Sequence, residues 1–139
     1  MNPSDVYKNK KAVGWTRIEM LLALYEAGIR NIHEAQDARL IKNHDLFDQK
    51  RLHALRIVLE IRGGLNSEYG ELPEKIAVLC EYVGQCLLDG SDEKMVSAVN
   101  VLTTLKESFD AIREEANRLE KAGEIPSVVD AASYMSIRA

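Results

Sequence analysis

Four stretches of this sequence carry apolar residues at every third or fourth position. This spacing places the apolar side chains on one face of an α-helix, whereas a half-buried β-strand requires them at every second position. None of the sequence alternates with the period of a strand. The pattern therefore predicts an all-α protein in which each helix buries an apolar face.

The first predicted helix begins at Thr16 and runs to about Arg39, and the second runs from His44 or Asp45 to about Leu65. Thr16 and Glu19 form a T-x-x-E pattern, which is typical of a capping box at a helix N-terminus. The expected core face of the first helix consists of Ile18, Leu21, Leu22, Tyr25, Ile29 and Ile32. The expected core face of the second consists of Phe47, Ala54, Val58 and Ile61.

The third and fourth predicted helices are separated by Gly90. Pro73 suits the first turn of the third helix, and Ser91 or Asp92 can cap the fourth, which we expect to continue to Lys121. The expected core face of the third helix consists of Ile76, Leu79, Cys80, Val83 and Leu87. That of the fourth consists of Met95, Val99, Leu102, Leu105, Phe109, Ile112 and Leu119.

These helices are joined by short connections, which require neighbouring helices to run antiparallel. The sequence thus predicts one antiparallel, up-down four-helix bundle over residues 16–122. An extended N-terminal arm, residues 1–15, precedes it, and a C-terminal tail, residues 123–139, follows it. In the tail, Ser127-x-x-Asp130 predicts a short final helix through Tyr134.

Charge and hydropathy exclude several classes of partner. The formal net charge of −4 gives no overall attraction for nucleic acid. No apolar run approaches the roughly 20 residues that a membrane-spanning helix needs, and the first residues do not resemble a secretory signal. Cys80 and Cys86 lie on one predicted helix with α-carbons roughly 9 Å apart, too far for a disulfide bond. We therefore expect a cytosolic protein with reduced cysteines, no bound nucleic acid and no membrane insertion.

The motifs of common catalytic and metal sites are missing from the sequence. It contains no Glu-x-x-His pair, phosphate-binding loop, G-x-S-x-G or C-x-x-C motif, and no acidic residue stands three positions before His33, His44 or His53. We expect no catalytic residue, no metal and no cofactor, and hence a protein that is not an enzyme.

Three of the predicted helices carry a second apolar line beside the core face. These lines are Met20, Leu24 and Ala27; Leu52, Leu55 and Leu59; and Val78, Tyr82 and Cys86. In one interpretation the arm and the tail fold back over the lines through Val6, Tyr7, Val13, Trp15, Val128, Val129, Tyr134 and Met135. In the other, the lines form a groove for helices of another protein. The two interpretations are compatible if the arm leaves when a partner binds.

The residues of three helices resemble those of the flagellin-specific secretion chaperones of the FliS type. The segment EMLLALYEAGI is similar to the family pattern E-x-L-I-x-M-L-Y-[DE]-G-A-I, with Ala27 and Gly28 exchanged. GELPEKIAVLCEYVGQCLL resembles G-G-E-I-A-x-N-L-x-x-L-Y-x-Y-M-x-x-x-L, and AVNVLTTLKESFDAI resembles E-V-x-x-L-L-x-x-L-R-E-x-W. The similarity covers about Tyr7 to Ile112, and the tail beyond Leu119 has no counterpart in the family pattern.

The resemblance implies a cytosolic chaperone that binds the C-terminal helical segment of flagellin, prevents premature polymerisation and delivers the subunit to the flagellar type III export apparatus. We expect the partner to contact Tyr7, Met20, Leu24, Ala27, Leu52, Leu55, Leu59, Val78, Tyr82 and Cys86. The alternative is a non-catalytic scaffold that self-associates through the same lines. A weak homodimer fits the chaperone, whereas a tight dimer favours the scaffold.

Overall fold

The computed structural model describes residues 16–65 and 71–124. In these two ranges the chain forms five helices and no strand. The helices are α1 (Arg17–Leu40), α2 (His44–Gly63), α3 (Glu71–Asp89), α4 (Asp92–Ala111) and α5 (Arg113–Lys121). The predicted all-α fold is confirmed.

The first four helices form a closed ring. Helix α1 packs on α2, α2 on α3, α3 on α4, and α4 returns to α1. The connections 41–43 and 90–91 are too short to let consecutive helices run in the same direction. This arrangement is the predicted antiparallel four-helix bundle.

The core receives side chains from all four helices. Tyr25 of α1, Ala54 of α2, Val83 of α3 and Leu102 of α4 have no exposed surface. The predicted core face of α2 is buried throughout. In α1, Leu21 and Ile29 are only partly buried, although both pack against the core.

Side chains satisfy free backbone groups at three of the helix ends. The Asn43 side chain caps α2 by accepting from the Leu46 N–H at 3.1 Å, and Ser91 caps α4 by accepting from the Lys94 N–H at 3.3 Å. Arg51 of α2 donates to the carbonyl oxygen of Leu87, in the last turn of α3, at 2.9 Å. The two caps act within their own helices, whereas the Arg51 bond connects α2 to the end of α3.

The expected capping box at the start of α1 is wrong. Thr16 has the extended backbone of an N-cap residue, but its hydroxyl makes no capping hydrogen bond. Instead it donates to Oδ1 of Asn117 in α5. The prediction failed because it considered only local partners, whereas the partner that forms the bond lies 101 residues away.

The expected continuous fourth helix is also wrong, because the chain bends at Ile112. This residue has φ −104° and ψ 8°, and its N–H donates to the carbonyl oxygen of Phe109 at 3.1 Å. Neither glycine nor proline stands beside it, so no local breaker in the sequence marks the bend. The segment after the bend is α5, which packs on α1 and α4.

Three further predictions concern the core position of Leu79, the division into arm, bundle and tail, and membrane-spanning helices. Leu79, expected in the core, is 38% exposed. The N-terminal arm and the predicted helix through Tyr134 lie outside the described residues, so the division into arm, bundle and tail stays a prediction. None of the helices in ranges 16–65 and 71–124 is long and apolar enough to cross a membrane.

Candidate partner-binding surface

Helix α3 has partly exposed apolar side chains along both of its neighbours. On one side lies the α2 line, which consists of Leu52, Leu55 and Leu59. Leu55 is partly buried, and its Cδ1 lies 3.6 Å from the position that a Cβ on Gly84 would occupy. Leu52 and Leu59 are about half exposed. Because these residues are spaced by three and four, they form one apolar strip along α2.

On the other side, α3 and α4 enclose an open cavity of about 230 Å³. We call it the α3–α4 cavity, and it is lined by Leu79, Asn100, Val101, Thr104 and Leu105. The Thr104 hydroxyl donates to the carbonyl oxygen of Asn100 at 2.9 Å, so the helix itself satisfies this hydroxyl. The cavity therefore presents mainly apolar surface to a ligand.

A second open cavity, of about 370 Å³, lies at the C-terminal end of α3. We call it the Tyr82 pocket, and it is lined by Tyr82, Gln85, Cys86, Leu88, Asp89 and Lys94. The Lys94 ammonium lies 5.7 Å from the centroid of the Tyr82 ring, within the range of a cation–π contact. Hydrogen bonds from Ser91 lower the pKa of Asp89 below its ordinary value, so this carboxyl stays ionised. The pocket combines an aromatic ring with one charge of each sign.

Both cavities lie along the same side of α3. Leu79 and Tyr82 are three residues apart, so they lie on neighbouring turns of one helix face. Val78, which is 63% exposed, lies one turn before Tyr82. The apolar surface of α3 thus extends over at least two turns. An amphipathic helix could bury its apolar face against a strip of this kind.

The predicted partner-binding residues fall into three groups in the structure. The exposed or half-buried ones are Leu52, Leu55, Leu59, Val78 and Tyr82. The buried ones are Met20, Leu24, Ala27 and Cys86. Tyr7 lies outside the described residues. The binding role of each residue stays a prediction.

The second apolar line predicted on α1 is not exposed in the structure. Leu24 and Ala27 are 3% and 4% exposed and belong to the main core cluster, as does Cys86 of α3. Met20 is also buried. Helix α1 packs against α2, α4 and α5, so it buries side chains around more of its circumference than a helix with two neighbours does.

The contribution of α4 to this surface was not predicted from the sequence. Val101 and Thr104 stand beside the core residues Leu102 and Leu105, and they were assigned to neither the core nor the surface line. Their spacing of three residues is the signal that could have identified them. Leu79 was missed because its spacing fits the core face of α3, although it lies at the edge of that face.

The buried ionisable groups are poorly suited to catalysis. Burial raises the pKa of the Cys80 thiol to about 11 and raises the pKa of Tyr25 further above its ordinary value. Both side chains therefore stay protonated at neutral pH and supply neither a nucleophile nor a base. Within the described ranges, no group of three or more His, Cys, Asp or Glu residues could hold a metal ion.

Comparison with known proteins assigns the chain to a family. The model of the family described as "Flagellar protein FliS" matches residues 1–116 of the chain. No curated protein matches significantly, and neither does any solved structure.

Proposed function

The chain belongs to the FliS family of flagellar chaperones, which is a non-catalytic family, and on this premise we propose that its client is flagellin. In this proposal the protein binds the C-terminal helical segment of newly made flagellin in the cytosol. The bound subunit cannot polymerise, and the chaperone delivers it to the type III export apparatus.

The observation that carries the proposal is the apolar surface on both sides of α3. The α2 line, the α3–α4 cavity and the Tyr82 pocket contain Leu52, Leu59, Leu79 and Tyr82, all of them more than a third exposed. Large, partly exposed apolar side chains on neighbouring helices commonly indicate a site for another protein. The length and open shape of the surface suit an amphipathic helix better than a small molecule.

The energetics suit a client that must later be released. Burying the exposed half of a leucine or valine side chain stabilises a complex by about 1 kcal/mol, at about 25 cal/mol per Å² of apolar area. Several such contacts are partly offset by the entropy that a disordered client loses when it becomes helical. A complex of this kind holds its client firmly enough to prevent polymerisation but still permits release.

Co-purification tests the proposed client directly. The full-length chaperone should retain intact flagellin from the same cells and should not retain flagellin whose C-terminal segment has been deleted. Equal recovery of both forms would contradict the proposed binding segment, and recovery of neither would contradict the proposed client.

Light scattering separates the chaperone from the self-associating scaffold. The chaperone should be a monomer or a weak dimer that flagellin converts into a one-to-one complex. If the protein instead forms a tight dimer that persists in the presence of flagellin, the apolar surface of α3 is a self-association interface and the proposal is wrong.

A further inference from the structure

Helix α5 is attached to the bundle differently from the other four helices. It is nine residues long, and none of its residues is buried. The bend at Ile112 separates it from α4, so its position does not follow from the direction of that helix. The contacts that hold α5 in place must therefore come from elsewhere in the bundle.

Those contacts are hydrogen bonds to the first turn of α1. Thr16 donates its hydroxyl hydrogen to Oδ1 of Asn117, and Nδ2 of Asn117 donates to Oε1 of Glu19 at 3.2 Å. The backbone N–H of Arg17 donates to Oε1 of Glu120 at 2.9 Å. The side chains of α5 thus occupy the groups that the T-x-x-E pattern would otherwise use for local capping.

The α5 residues of this attachment lie beyond the part of the chain that matches the family. The match ends at residue 116, so it includes Thr16, Arg17 and Glu19 but neither Asn117 nor Glu120. The family model therefore does not account for the contact between α5 and α1.

We propose that α5 is a reversible strap, which locks the first turn of α1 when closed and opens about Ile112 while the four-helix core stays folded. When the strap is closed, it fixes Thr16 and Arg17, where residues 1–15 join the bundle. When it opens, the first turn of α1 is free to fray. The strap thus regulates how firmly the first turn of α1 is held.

Opening the strap exposes mainly polar groups, which water can satisfy, together with the half-buried apolar side chains of Ala116 and Leu119. The Arg17 N–H, the Thr16 hydroxyl and the carboxylates of Glu19 and Glu120 are all polar, so each can exchange its partner for water at small net cost. Opening the four-helix core would instead expose apolar side chains such as Tyr25 and Leu102, which have no exposed surface in the folded protein. Local opening of α5 therefore requires much less free energy than global unfolding.

Hydrogen exchange of the full-length protein tests the strap and requires no flagellin. In the wild type, the amides of α5 and of Arg17 should exchange faster than those of Val83 and Leu102, at rates that report local opening. The double variant Asn117→Ala with Glu120→Ala should raise the exchange rates of α5 and Arg17 about tenfold. The rates at Val83 and Leu102 should not change.

Glu114→Ala is the matched control, because it removes one carboxylate from an exposed position of the same helix. Its exchange rates at Arg17 should equal those of the wild type. The proposal is overturned if the amides of α5 in the wild type exchange as slowly as those of Val83. It is also overturned if the double variant accelerates exchange equally throughout the bundle, or leaves the rate at Arg17 unchanged.

Discussion

The ring of Tyr25 in α1 stacks against the ring of Phe109 in α4, with centroids 5.8 Å apart and an angle of 23° between the planes. Tyr25 has no exposed surface, and its hydroxyl is buried without a hydrogen-bond partner among residues 16–65 and 71–124. The pair joins the first helix of the bundle to the fourth and thereby helps to close the ring. The ring of Tyr25 raises the free energy of unfolding, whereas its hydroxyl lowers it, because this group loses its hydrogen bond to water on burial.

Substitutions of Tyr25 should separate these two contributions. Tyr25→Phe keeps the stacked ring and removes the unpaired hydroxyl, so we expect the free energy of unfolding to stay the same or rise by about 1 kcal/mol. Tyr25→Ala also removes the ring and should lower it by about 3 to 5 kcal/mol. Urea denaturation measures both variants. A large loss of stability in Tyr25→Phe would show that the hydroxyl has a partner in solution.

The protein should lose stability in alkaline solution. Burial raises the pKa of Cys80 from 9.0 to about 11, so the folded state retains a proton that the unfolded state releases above pH 9. The contribution of the protonated Cys80 thiol to the free energy of unfolding is complete below pH 9, and it is lost as the pH rises to 11. Urea denaturation at several pH values should show this decline, and Cys80→Ala should make it shallower. An unchanged slope in that variant would contradict the assignment to Cys80.

The end of α3 requires a glycine. Gly90 has φ +73°, and a Cβ at this position would lie 3.4 Å from Cδ of Arg51. Gly90→Ala should therefore lower the free energy of unfolding by about 1 to 2 kcal/mol. Gly63→Ala is the control, since Gly63 ends α2 and a Cβ added there would meet no atom within 4 Å. Thermal denaturation should show a lower midpoint only for Gly90→Ala.

The corrected position of Leu24 gives another prediction. Leu24 is 3% exposed in the core, so Leu24→Glu buries a carboxylate without a partner and should cost several kcal/mol of stability. Tyr82→Asp places its charge on a half-exposed position and should cost about 1 kcal/mol. Circular dichroism during urea denaturation compares the two variants. Equal stabilities would contradict the assignment of Leu24 to the core.

The helix pattern was predictable because it depends on local spacing. Phe47, Ala54, Val58 and Ile61 recur at helical intervals, and the structure buries all four of them. The Ser91 cap was predictable for the same reason, because its partner, the Lys94 N–H, lies three residues away. Apolar spacing and helix caps depend only on residues within one or two turns of one another.

The remaining features depend on contacts between distant residues. Thr16 bonds to Asn117 and not to its own helix, and no periodic pattern in the sequence could indicate this. Likewise, the burial of Leu24 depends on how many helices surround α1. On α2 the predicted line of Leu52, Leu55 and Leu59 is exposed or half-buried, whereas on α3 Val78 and Tyr82 are exposed and Cys86 lies in the core. The residues of α4 that line the α3–α4 cavity depend on how the helices pack together.

The most direct test of the account is a calorimetric titration of the flagellin C-terminal segment into the wild type, Tyr82→Asp and Val96→Asp. Val96 is also half exposed and apolar, but it lines neither cavity, so it is the matched control. Tyr82→Asp should lower the affinity by at least about tenfold, since a bound client would have to desolvate the new charge. Val96→Asp should bind as the wild type does. Unchanged affinity in folded Tyr82→Asp, or an equal loss in both variants, would contradict binding at the surface of α3.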